Sequence, residues 1–94
     1  MNIIIAGGGT VGASLAKQLS AEGHDITLID SDDIVLEASV ERYDVMSVRG
    51  NCASMAVLRQ AKIDTADLLI AATNRDESLI SSNLFSNINN IILI

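Results

Sequence analysis

The chain has 94 residues, 49% of them hydrophobic, which is enough apolar surface for one core and too little length for two domains. Only 2% are aromatic, so the core must come from Ile, Leu, Val and Ala, a composition that suits strands buried on both faces and favours α/β over a small β-barrel. Twelve acidic residues against six basic ones give a formal charge of -6, which argues against nucleic acid or an anionic membrane surface as a direct partner.

The first element is a strand over Asn2-Ala6, an apolar run that meets three glycines at once and leaves no room for a signal-peptide core. A helix follows the glycines, with Val11, Leu15 and Leu19 at every fourth residue and Gly23 placed to end it. Asp25-Ile29 reads as the second strand, and a second helix capped by Asp32 carries Leu36 and Val40. Val45-Val48 is a weaker strand, and Ser54 caps a short third helix striped by Val57, Leu58 and Ala61. Asp67-Ala72 is the next strand. After Asp76 the pattern continues as a fourth helix to about Phe85, a turn containing Asn87, Asn89 and Asn90, and a strand at Ile91-Ile94.

Strands alternating with helices at this spacing, joined by right-handed crossovers, predict an α/β fold: a Rossmann-like doubly wound parallel sheet, truncated after the fifth strand. Residues 1–94 read as a single nucleotide-binding domain and as a fragment of a longer one, because four aliphatic residues at the end would otherwise leave an apolar sheet edge in water. That edge predicts a covering partner or self-association to at least a dimer. The single cysteine, Cys52, cannot form an internal disulfide, and no Cys/His cluster has metal-ligand spacing. With no apolar stretch long enough for a bilayer, the expected location is the cytoplasm.

Gly7, Gly9 and Gly12 fit G-x-G-x-x-G directly after a strand and at the start of a helix. Gly7 allows the tight turn, Gly9 allows a diphosphate to approach the backbone, and Gly12 allows the helix to pack close to the strand. The unpaired N–H groups at the helix start, around Thr10 and Val11, would then hold phosphate even in an acidic protein. Asp30 ends the second strand eighteen positions after Gly12, where a carboxylate accepts from ribose hydroxyls. Ser31 follows it rather than an arginine, so NADP is disfavoured, whereas ATP, ADP and NAD share the free 2′-hydroxyl. Two more segments lie at strand carboxyl ends. Arg49-Gly50-Asn51-Cys52 would bring Asn51 and Cys52 to an adenine edge, and Thr73 and Asn74 would reach phosphate or ribose from across the switch point.

Other groups read as structural. His24 lies in a turn at the amino end of the sheet, Asp32, Asp33, Glu37 and Glu41 form a solvated face, and Cys52 has no assigned chemistry. No nucleophile, base and orienting group come together, so the expectation is not an enzyme. The same turn also serves the cofactor domain of an NAD-dependent oxidoreductase, which would take its catalytic groups from further residues. A methyltransferase-like domain binding S-adenosylmethionine is a third reading.

Four pieces together are more specific: Ile3 through Gly12, Gly23 through Asp30, Gly50-Asn51-Cys52, and Ala66-Asp67 leading to Thr73 and Asp76-Glu77. Along its whole length the chain resembles the regulatory nucleotide-binding domain, called RCK or KTN, of Trk and Ktr potassium-uptake systems and related channels, the TrkA N-terminal domain included. The resemblance implies binding of NAD(H) or ATP/ADP, assembly as dimers into larger rings, and control of a membrane potassium pore from its cytoplasmic side. It implies that Gly7, Gly9, Thr10, Val11, Asp30, Asn51 and Thr73 line the nucleotide. Where such domains carry asparagine two positions after the Asp-Glu pair, this chain has Leu79.

Overall fold

A computed structural model of the chain describes residues 1–52, 54–72 and 91–93. Five strands, β1 (Asn2–Ala6), β2 (Asp25–Asp30), β3 (Val45–Arg49), β4 (Leu68–Ala71) and β5 (Ile91–Leu93), form one sheet in the order β3-β2-β1-β4-β5. Every neighbouring pair is parallel, with Ile4 between Thr27 and Leu69 and Ala6 between Ile29 and Ala71. The chain leaves β1 toward β2 and β3 on one side and returns to β4 on the other. The carboxyl end of β1 is therefore the switch point at which open α/β sheets take their ligands.

The central strands are mostly aliphatic because both faces are covered; the exceptions are Asn2 in β1 and Asp25, Thr27 and Asp30 in β2. Ile3, Ile5, Ile26, Leu28 and Ile70 pack on one face against Ala16 of α1 (Thr10–Ala21) and Leu36 of α2 (Asp33–Arg42). Ile4, Ala6, Ile29 and Leu69 pack on the other against Leu58 of α3 (Met55–Gln60) and against Ala61 and Ile63, where a 3-10 turn (Ile63–Thr65) begins. Ile5, Leu28, Ile29, Leu58 and Leu69 are fully buried. Burying one such side chain contributes about 1.5–3 kcal/mol, and these two clusters hold the sheet flat against its helices. Among the described residues no helix is long and apolar enough to cross a membrane.

Local signals set the helix ends. Gly23 takes φ +90 just past α1, and its N–H bonds Ser20 O at 3.1 Å while His24 N–H bonds Leu19 O at 3.2 Å. This paired closure satisfies two terminal carbonyls and needs a residue tolerant of positive φ. Asp32 caps α2 by accepting from Ile34 N at 2.9 Å.

Several expectations are corrected. Val11 and Val40 do not face the core; they are 45% and 44% exposed. On α1 the closest contact is made by small residues, Gly12 and Ala16, so the helix sits nearer the sheet than a valine at its first turn would allow. On α2 the inward places go to Leu36 and Ser39, and Ser39 Oγ donates to Val35 O at 3.0 Å, which satisfies its buried hydroxyl. Ser54 occupies the cap position of α3 but its side chain makes no capping bond; its own N–H closes a turn onto Asn51 O at 2.9 Å. The strand expected at Asp67-Ala72 is confined to Leu68–Ala71, while those expected to end at Ile29 and Val48 each run one residue further. The expected fourth helix, the Asn-rich turn and Ile94 lie outside the described residues.

Candidate functional site

The glycine turn is held by backbone geometry on one side and by a carboxylate on the other. Gly7 takes φ +108, a conformation closed to most L-residues, and its N–H extends the β1–β2 pairing to Ile29 O at 2.8 Å. Gly8 N–H donates to Asp30 Oδ2 at 2.7 Å, and Asp32 N–H donates to Asp30 Oδ1 at 2.9 Å. Asp30 thus ties the turn after β1 to the turn after β2. A carboxylate has about four acceptor positions, and the described residues fill two of them.

The first helical residues follow at once. Gly9 is the N-cap of α1 and has no side chain to satisfy the orphan N–H groups; its carbonyl accepts from Ala13 N at 2.8 Å. The first turn carries no acidic residue, and Thr10 and Val11 are exposed, so the positive end of the helix dipole opens to solvent above the turn. A Cβ on Gly9 would meet no atom within 4 Å, whereas a Cβ on Gly12 would overlap the Gly7 carbonyl oxygen. The two glycines therefore do different work: Gly12 lets α1 lie against the turn, and Gly9 leaves the space in front of it open.

Beside the turn is a cleft of about 360 Å³, lined by Gly7, Ile29, Asp30, Ser31, Gly50, Asn51 and Cys52. The expected residues from three strand ends come together there. Gly9, Thr10, Val11 and Gly12 form the adjoining helix start, while Thr73 and Asn74 lie outside the described residues. Asn51 is exposed and Cys52 half-buried. Two neighbouring residues take structural roles that the sequence did not assign them. Gly8 must be small because a Cβ there would press on Val35 Cγ1 at 2.7 Å, and the run of three glycines was its only signal. Arg49, at the end of β3, makes an ion pair with Asp33, Nε to Oδ1 3.2 Å.

A larger recess of about 560 Å³ opens at the amino ends of the strands, beside His24, Asp25, Thr27, Met46 and Lys62. Among the described residues, its lining contains no glycine and no first turn of an α-helix. His24 stands there half-buried in its turn, Nε2 3.9 Å from Glu22 Oε2. Asp32, Asp33, Glu37 and Glu41 are all exposed, and no metal-holding group of carboxylates, histidines and cysteines exists among the described residues.

The arrangement sets backbone N–H groups of a helix N-terminus, a carboxylate and a cleft side by side at the carboxyl ends of the strands, where open α/β sheets take their ligands. Comparison with known proteins agrees with that fold. A Shewanella denitrificans Kef C-terminal domain, solved in an AMP-bound form, superposes with a TM-score of 0.80 at 21% identity, over 99% of this chain and 58% of that one. The Trk system potassium uptake protein TrkA of Halomonas elongata is 47% identical over 77 residues, covering 82% of this chain and 17% of that protein. A TrkA homolog of Archaeoglobus fulgidus is 43% identical over 84 residues, 89% of this chain and 19% of that protein. Another from Methanothermobacter thermautotrophicus is 37% identical over 78 residues, 83% of this chain and 36% of that protein. The chain thus spans between 17% and 36% of these curated relatives. The TrkA-N domain model matches residues 3–93, and the chain belongs to the TrkA-N domain family.

Proposed function

We propose that the chain is the regulatory nucleotide-binding domain of a potassium-uptake system, taking NAD(H) or ATP/ADP at the glycine turn and so controlling potassium movement through a membrane Trk- or Ktr-type partner. The observation that carries this reading is the Asp30 clamp on Gly8, which sets a carboxylate beside an uncapped helix N-terminus at the switch point. Gly7, Gly9, Thr10, Val11 and Gly12 take the diphosphate, Asp30 and Ser31 the ribose, and Asn51 and Cys52 the adenine edge. Thr73 and Asn74, outside the described residues, are assigned to phosphate or ribose in the same reading. The names of the relatives support the potassium-uptake context, and the AMP-bound Shewanella domain supports an adenine nucleotide. In this reading the domain performs no catalysis of its own. It works in the cytoplasm, peripheral to the inner face of the membrane through its transporter partner, as a dimer or higher homo-oligomer.

Such a domain acts by shifting a conformational equilibrium, and the shift is limited by the difference in affinity between its two arrangements. The glycine turn and Asp30 grip only what ATP, ADP and NAD share, so discrimination falls to the γ-phosphate or the nicotinamide half. The parent protein, joined to its membrane subunit in vesicles, should therefore show potassium flux that depends on which nucleotide is present. Asp30→Ala removes a charged acceptor for ribose and the tether of the Gly8 amide, and should weaken binding by about 2–4 kcal/mol and blunt that dependence. Flux indifferent to every nucleotide, or turnover of NADH with a small-molecule substrate, would overturn the reading in favour of an oxidoreductase cofactor domain.

A further inference from the structure

At the carboxyl end of β3, beside Asp30, stands an arginine that does not come from the loop after β2. Asp30 and Arg49 are register neighbours across the β2–β3 pair, and Gly50 N–H bonds Asp30 O at 2.9 Å, so the ends of the two strands are locked side by side. Asp30 is not the partner of Arg49 in the ion pair. Both carboxylate oxygens of Asp30 are turned to the Gly8 and Asp32 amides, and the guanidinium reaches instead to Asp33 in the first turn of α2, Nε to Oδ1 3.2 Å. Among the described residues, the ends of these two strands and the start of α2 carry three acidic side chains, Asp30, Asp32 and Asp33, against one arginine, and Asp33 is the one paired with it.

Resting on the nucleotide reading, we propose that the Asp33–Arg49 pair sets specificity at the ribose. Asp33 engages Arg49, so the site selects adenosine ligands with a free 2′-hydroxyl and rejects those carrying a 2′-phosphate. The two side chains are 68% and 56% exposed, so the pair is weakly held. A phosphate on the ribose is the better partner for a planar guanidinium, which it can meet with two parallel hydrogen bonds. What keeps them apart is the local excess of negative charge together with the competition from Asp33.

The test compares two probes that differ only in the 2′-phosphate, AMP and adenosine 2′,5′-bisphosphate, titrated calorimetrically into the chain and its Asp33→Asn variant. Wild type should prefer AMP. Asp33→Asn, an exposed change that keeps the side-chain shape, should improve the bisphosphate relative to AMP by roughly three- to tenfold with AMP affinity little altered. Adding Arg49→Gln to Asp33→Asn should reverse that gain, because the released guanidinium is what takes the phosphate. An unchanged ratio in Asp33→Asn while wild type binds AMP would overturn this inference alone, as would a gain that survives in full without Arg49. Binding of neither probe by wild type would overturn both this inference and the nucleotide reading.

Discussion

Replacing Gly12 by alanine should lower stability by about 2–3 kcal/mol and the thermal midpoint by roughly 10–20 °C. In an ordinary helix the same change stabilises by up to about 1 kcal/mol through backbone entropy, so the sign here is a test of packing. The added Cβ would overlap the Gly7 carbonyl oxygen, which is main chain and cannot rotate out of the way. Gly7 cannot retreat either, because its N–H is tied to Ile29 O at 2.8 Å and its φ is +108. The remaining relief is to lift the start of α1 off the sheet, which uncovers Ile5 and Ala16, both 0% exposed. Urea unfolding followed by circular dichroism measures this directly. A midpoint equal to or above that of wild type would mean that α1 does not sit as close to the turn as described.

Gly9→Val should do the reverse, leaving the fold in place and removing the ligand. A Cβ at position 9 meets nothing within 4 Å and the backbone there has φ -68, so no strain arises in the free protein. The stability cost is limited to the poorer N-cap, under about 1 kcal/mol. The two methyl groups would instead fill the space in front of the first helical N–H groups, where a diphosphate must come within hydrogen-bond distance. Binding of ADP should fall by at least about a hundredfold, the loss of some 3 kcal/mol of charge-assisted hydrogen bonds. Melting curves and calorimetry on the same preparation separate the two effects. An unchanged dissociation constant would remove the nucleotide from this turn.

Much of this was legible in the sequence because it is local. The run Asn2–Ala6 followed by three glycines, and the acid at the end of Asp25–Asp30, place a strand, a turn and a second strand within a few residues of each other. β3 was the weak case for a physical reason: it lies at the sheet edge with Met46 64% exposed, so its hydrophobic pattern is diluted. Periodicity misplaced Val11 and Val40 because it cannot know that Gly12 and Ala16 make the tightest contact, or that a buried Ser39 hydroxyl finds a carbonyl in its own helix. That Gly7, Asp30, Ser31, Asn51 and Cys52 from three strand ends would line one cleft was readable from position alone. The role of Asp30 as a clamp was not, since its bond to Gly8 joins residues 22 apart in the chain, and neither was the meeting of Arg49 with Asp33.

The central claim, that the turn from Gly7 to Gly12 together with Asp30 holds an adenine nucleotide, is tested most directly by titrating the wild-type chain with AMP, ADP, ATP, NAD, NADH and NADPH in a calorimeter. Ligands with a free 2′-hydroxyl should bind at one site per chain, NADPH should bind more weakly than NADH, and Gly9→Val should abolish the heat for all of them. No saturable heat from any adenine nucleotide, or binding unaffected by Gly9→Val, would contradict it.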